Sequence, residues 1–201
     1  MPETQTAPRI GVLAIQGDYE AHAAALAESG AIPSLVKTPA ALANLDGLII
    51  PGGESTTMLK FFERDGLFEV LQTFARAKPV FGTCAGAILL ANDVRNPSQQ
   101  SLGVLDNVVE RNAYGAQRDS AILTLDTKLP GGPMETVFIR APRIVSTGPG
   151  VEVLAERDGF PVLVRQKLGN VETIAATFHP EMSSDRRIHR FFVESVRAAR
   201  N

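Results

Sequence analysis

The chain has 201 residues, 44% of them hydrophobic and 21% charged, and its 20 Lys+Arg against 22 Asp+Glu leave a formal net charge of −2, which argues against the basic footprint of a nucleic-acid-binding domain. A single cysteine excludes an internal disulfide framework and fits a reducing, cytoplasmic setting. No apolar run approaches the ~18–20 residues needed to cross a bilayer, and the polar stretch Met1 to Pro8 lacks the basic-then-apolar pattern of a secretory signal.

Residues 1–8 read as a frayed tail ahead of one domain over residues 9–201. Arg9–Gln16 is a compact apolar run of strand length, followed by a Gly17-Asp18 turn. Tyr19–Ser29 is Ala-rich and stops at Gly30, as a helix C-terminus should. Ile32–Val36 and Leu48–Ile50 are short strands, the latter cut off by Pro51-Gly52-Gly53. Thr56–Phe62 and Leu67–Arg76 read as helices separated by Gly66, Pro79–Gly82 as a buried strand and Ala85–Ala91 as the helix after it. This alternation predicts an α/β fold with a mostly parallel central sheet in a three-layer sandwich. Beyond it, Val108–Arg111, Ala121–Leu125, Val137–Ile139, Val151–Arg157 and Pro161–Lys167 are strand-like pieces between Gly, Pro and Asn turns, an antiparallel or mixed extension of the sheet. Glu172–Phe178 is a further strand. Asp185–Arg200 is a final amphipathic helix, with Ile188, Phe191, Phe192 and Val196 at helical spacing and its arginines on a solvated face.

Cys84 lies in Gly82-Thr83-Cys84-Ala85-Gly86, between a predicted strand and a predicted helix. G-x-C-x-G is the thiol counterpart of the G-x-S-x-G nucleophile elbow. The nucleophile stands on a tight strand-to-helix turn, and small residues two positions either side let strand and helix approach. A helix N-terminus favours a thiolate, and the Ala85 N–H is free for an oxyanion. A free cysteine more often packs as a small core hydrophobe; here the flanking glycines favour the nucleophile.

Of the histidines, His22 and His189 read as ordinary helix-surface or boundary residues. His179 ends an apolar strand and begins His179-Pro180-Glu181. Pro180 pushes His179 towards an extended conformation, in which residues two apart point the same way. Glu181 is thereby placed to orient the imidazole while its other nitrogen faces Cys84. Taken alone, the segment reads equally well as a strand-end histidine beside a helix-capping glutamate.

Pro51-Gly52-Gly53-Glu54-Ser55-Thr56-Thr57 enters a helix from a strand, and paired glycines can aim N–H groups at developing negative charge. A phosphate loop lacks its lysine here. A plain turn with Ser55 or Thr56 as N-cap competes. Arg111 and Arg140 each sit at a strand end, where a guanidinium suits fork-like binding of a carboxylate, although each alone also fits a surface ion pair.

With these blocks placed, the sequence resembles the class I (triad) glutamine amidotransferases, and among them the glutaminase subunits of pyridoxal 5′-phosphate synthases. The resemblance rests on Ile10–Gly17, Pro51–Thr57, Phe81–Gly86, Glu110-Arg111-Asn112, Phe138-Ile139-Arg140-Ala141-Pro142 and Phe178-His179-Pro180-Glu181. It implies a flavodoxin-like core and a triad of Cys84, His179 and Glu181. It also implies glutamine contacts from Gly53, Glu54, Ser55, Arg111, Ile139 and Arg140, and an oxyanion hole from Gly52, Gly53 and Ala85. It further implies ammonia delivery to a partner synthase that builds pyridoxal phosphate from a pentose phosphate and a triose phosphate. No bound cofactor or metal, nucleic acid or membrane is expected. One departure is Ala116, where the family usually carries arginine. The competing classes are another triad amidotransferase-like enzyme, a cysteine peptidase on a related sheet, and a non-catalytic subunit, which would be expected to have lost its triad.

Overall fold

A computed structural model describes residues 6–112 and 120–200. Its central sheet has seven strands: β1 (Arg9–Leu13), β2 (Ile32–Val36), β3 (Gly47–Ile50), β4 (Val80–Thr83), β10 (Val151–Arg157), β11 (Phe160–Leu168) and β12 (Val171–Ala176). Their order is β10-β11-β12-β4-β3-β1-β2. The run β12-β4-β3-β1-β2 is parallel, and β10 and β11 extend it antiparallel. Strands β3 and β4 are buried along their whole length, as expected of parallel strands covered on both faces.

Alternation along β1 divides the core. Ile10 and Val12 face one layer, where α1 (Tyr19–Glu28) and α5 (Arg187–Ala199) contribute Leu26, Ile188, Phe192 and Val196. Leu13 faces the other, with α2 (Ser55–Arg64), α3 (Phe68–Ala77) and α4 (Ala85–Leu90) contributing Met58, Phe62, Leu71 and Leu89. The result is the expected three-layer sandwich.

The strand-like pieces of the middle region divide differently from the expectation. Only β10 and β11 extend the main sheet. β5 (Ala91–Arg95), β6 (Leu105–Glu110) and β9 (Arg143–Thr147) form a separate three-stranded sheet, and β7 (Ala121–Leu125) pairs with β8 (Met134–Phe138) in a hairpin. The two small sheets pack on opposite layers, β7–β8 through Met134 and Phe138, β5–β6–β9 through Val94, Val109 and Ile144. Within the expected tail, Pro8 O accepts from Ile32 N at 2.9 Å and Thr6 O from Arg200 Nη1 at 2.7 Å, so residues 6–8 are tied to the domain. Nor is the arginine face of α5 wholly solvated, since Arg186 pairs with Glu28 at 2.7 Å and Arg197 donates to Gly30 O at 2.9 Å.

The parallel order reverses between β1 and β3. Ligands of open α/β sheets settle at such switch points, beyond the carboxyl ends of the strands. Gln16, Gly52, Cys84 and His179 all follow the carboxyl ends of central strands β1, β3, β4 and β12.

Candidate active site

Cys84 connects β4 directly to α4 with φ 49 and ψ −105, a conformation rarely taken by a residue bearing a Cβ. The surrounding glycines make the turn possible. A Cβ on Gly86 would sit 1.9 Å from Ile50 O, and one on Gly82 would sit 2.6 Å from the Gly86 carbonyl carbon and oxygen. The Cys84 amide is anchored to Ala176 O at 2.9 Å. Cys84 is buried, 8% exposed. Ala85 opens α4, so its N–H has no helical carbonyl behind it.

His179 is held by its own amide, which donates to Val137 O at 2.8 Å. Its Nδ1 lies 2.7 Å from Glu181 Oε1, leaving Nε2 for the thiol. The pairing arises otherwise than the sequence reading expects. Pro180–Met182 is a single 3₁₀ turn, begun by proline's fixed φ and closed by Met182 N donating to His179 O at 3.2 Å. Curling, rather than strand alternation, brings the carboxylate under the ring. Burial works against a charged imidazole here, but hydrogen bonding to Cys84 and Glu181, and their charges, outweigh it and raise its pKa from the ordinary 6.5 to about 10.

The glycine loop closes the far side. Gly53 has φ 139, open to glycine alone, and a Cβ on Gly52 would lie 2.7 Å from His179 Cε1. Glu54 N donates to Gln16 Oε1 at 3.0 Å. The cap of α2 is Glu54 rather than Ser55 or Thr56, its carboxylate accepting from Thr57 N at 2.7 Å and Thr56 N at 3.2 Å. Burial works against this charge, but the hydroxyls of Thr56 and Thr57 and then their amides hold the pKa down to about 2. Ser55 is buried and donates to Gln99 Oε1 at 2.9 Å. Arg111 Nη2 reaches Glu54 Oε1 at 3.1 Å.

One cavity of about 410 Å³ gathers these groups: Gly52, Gly53, Glu54, Ser55, Cys84, Ala85, Arg111, Ile139, Arg140 and His179 all line it. Glu181 lies behind His179, 5% exposed. Gln16, Gly17, Asp18, Ile88, Asn112 and Pro142 complete the lining and are absent from the sequence-based set. Gln16 is legible in retrospect as the polar residue ending the first apolar run. Ala116 falls outside the described residues. Among the described residues no group of three or more His, Cys, Asp or Glu is placed to hold a metal ion, and no helix is long and apolar enough to cross a membrane.

His22 and His189 depart furthest from expectation. Both are completely buried, on the stripes His22-Ala25-Leu26 of α1 and His189-Phe192-Val193-Val196 of α5. Each stripe follows i, i+3, i+4, a spacing that places a residue on the inner face whatever its polarity.

A strained cysteine at a strand–helix junction, backed by a histidine–carboxylate pair on a doubly wound sheet, defines a thiol-dependent acyl-transfer class. The chain belongs to the SNO glutamine amidotransferase family, which matches residues 12–198. It is 57% identical over 189 residues to the pyridoxal 5′-phosphate synthase subunit PdxT of Koribacter versatilis, covering 94% of this chain and 96% of that one. To the protein of the same name from Thermotoga maritima it is 49% identical over 191 residues, covering 94% and 100%. A solved glutamine amidotransferase superimposes with a TM-score of 0.84 at 43% identity, covering 93% of this chain and 98% of that one. The structure of PurLQS from Thermotoga maritima shares the fold at a TM-score of 0.66 and 19% identity, covering 96% of this chain and 97% of that one.

Proposed function

We propose that the protein hydrolyses L-glutamine to L-glutamate and ammonia, and that the ammonia passes to a synthase subunit making pyridoxal 5′-phosphate in the cytoplasm. The observation that carries this reading is the convergence of Cys84, His179, Glu54, Arg111 and Arg140 on one cavity, in a chain whose relatives named above are PdxT subunits.

In this reading Arg111 and Arg140 hold the substrate α-carboxylate and Glu54 its α-ammonium. The Cys84 thiolate attacks the side-chain carboxamide carbon. The oxyanion is taken by the Ala85 N–H and an N–H of the Gly52-Gly53 loop. His179 gives its proton to the amide nitrogen, the C–N bond breaks, ammonia leaves and a γ-glutamyl thioester remains. His179 then takes a proton from water, whose oxygen attacks the thioester and frees glutamate and the cysteine. Glu181 keeps the Nδ1 proton in place throughout.

The test is ammonia release from glutamine, measured with and without the candidate synthase subunit. Release stimulated by the synthase is expected; its absence under both conditions overturns the reading. A second expectation follows from the raised His179 pKa. Activity that needs the protonated imidazole should persist on the alkaline side to near pH 10, rather than fall away near 6.5. Because the folded pKa lies above the unfolded one, the stability this proton confers is complete below about pH 6.5 and is lost as pH rises through about 10. A pH–rate profile of kcat/KM with an alkaline limb near neutrality would contradict the assignment.

A further inference from the structure

Behind the site, away from the cavity, polar side chains continue in line from Glu181. The carboxylate is fully enclosed; Oε1 serves His179, and Oε2 lies 3.2 Å from His22 Nε2. His22 Nε2 is also 3.2 Å from Thr83 Oγ1, and His22 Nδ1 is 3.0 Å from His189 Nε2. Phe81 of β4 meets both rings edge-on, with centroids 6.4 Å from His22 and 6.2 Å from His189. The ring planes are therefore set by packing as well as by polar contact.

These contacts favour one proton arrangement. Oε2 makes no hydrogen bond among the described residues, but it can only accept and lies 3.2 Å from Nε2. The arrangement that suits it therefore puts the proton on Nε2, between Oε2 and Thr83 Oγ1. His22 Nδ1 is then the acceptor, and His189 must donate from Nε2–H. That leaves His189 Nδ1 as a bare lone pair, and it is the ring nitrogen without a partner among the described residues. The opposite arrangement sets a lone pair against a carboxylate and buries an N–H with no acceptor, the costlier way to leave a group unpaired. Both rings stay neutral. Burial, then the neighbouring His189 and His179, push the His22 pKa well below 6.5. Burial, then Arg186, lower that of His189 to about 4 against an opposing pull from Glu28.

We propose that His22 is a positioning residue for the Glu181 carboxylate, locked as its Nε2–H tautomer by His189, so that the carboxylate presents Oε1 to His179. Without this N–H, the buried Oε2 loses the positive dipole 3.2 Å from it, and the carboxylate is free to turn away from the imidazole. The proposal rests on the triad reading above, and the two can fail separately.

The direct test is nitrogen-15 NMR of the histidine-labelled full-length protein at neutral pH. Both His22 and His189 are expected as Nε2–H tautomers; an Nδ1–H signal for His22 overturns the proposal. Kinetics with the synthase present supply the functional arm. His22→Leu is expected to lower kcat on the order of 10- to 100-fold with little change in KM for glutamine, and to move the alkaline limb to lower pH. His22→Gln, whose side-chain amide can donate from a similar position, should recover much of both. A folded His22→Leu protein with unchanged kcat and pH profile overturns the proposal, provided Glu181→Gln is impaired in the same assay. If Glu181→Gln is itself unimpaired, it is the triad reading that fails. Should His22→Leu not fold, the tautomer measurement on the unaltered protein decides alone.

Discussion

Replacing Cys84 with serine is expected to reduce glutamine hydrolysis on the order of 10³-fold or more while leaving the fold and glutamine binding intact. The fold is insensitive because serine keeps the Cβ and nearly the same side-chain volume, so the positive-φ turn bears the same strain as before. Binding is insensitive because the groups assigned to the substrate's charged end, Arg111, Arg140 and Glu54, are untouched. The chemistry is not. The raised His179 pKa depends in part on Cys84, and a serine hydroxyl does not yield its proton to an imidazole in the resting enzyme. The shorter C–O bond also withdraws the attacking atom from a place set for sulfur. Steady-state ammonia release should show the loss in kcat, with KM for glutamine nearly unchanged. A glutamine-like electrophile that labels the unaltered protein should leave the variant unlabelled. Undiminished hydrolysis by Cys84→Ser would remove the nucleophile assignment.

The elbow was legible because its demands are local. Residues two positions either side of the thiol must be small, and that constraint appears as a spacing in the chain. The histidine–carboxylate pair was legible as a pair but not as a geometry, because proline at the start of a 3₁₀ turn and proline in an extended run leave the same trace in the sequence. His22 was obscured by its helix. Tyr19–Glu28 carries five alanines, which mark no face, so nothing local says which side turns inward. His189 was obscured by the arginines around it, although its stripe of Phe192, Val193 and Val196 was available. Strands β5 and β9 escaped for a different reason. Ala91–Arg95 follows α4 with no intervening turn, and Arg143–Thr147 follows the proline-containing Ala141-Pro142. Both owe their extended form to pairing with β6, a tertiary effect that overrides weak local preference.

Adding one methyl group at Gly86 is expected to damage stability and activity together. The new Cβ would lie 1.9 Å from Ile50 O, 2.8 Å from Ile50 C and 3.2 Å from Pro51 O. All three are backbone atoms at the end of β3, where no side chain can swing aside. Either α4 lifts from the sheet or the end of β3 retreats, and an overpacked core of this kind costs ~3 kcal/mol or more. For a chain of this size that lowers Tm by roughly 6–12 °C, at about 2–4 °C per kcal/mol. Both escapes also disturb catalysis, since α4 begins directly after Cys84 and β3 leads into the Gly52-Gly53 loop. A misplacement of about 1 Å costs on the order of 10²-fold in rate. Gly66→Ala separates the clash from a generic glycine effect: its φ is +64 but a Cβ there meets nothing within 4 Å. It should lose only about 1 kcal/mol from backbone strain and keep full activity. Thermal unfolding and ammonia release for both variants check the argument, and a Gly86→Ala protein that melts and turns over like the unaltered one would mean that α4 and β3 do not meet at this distance.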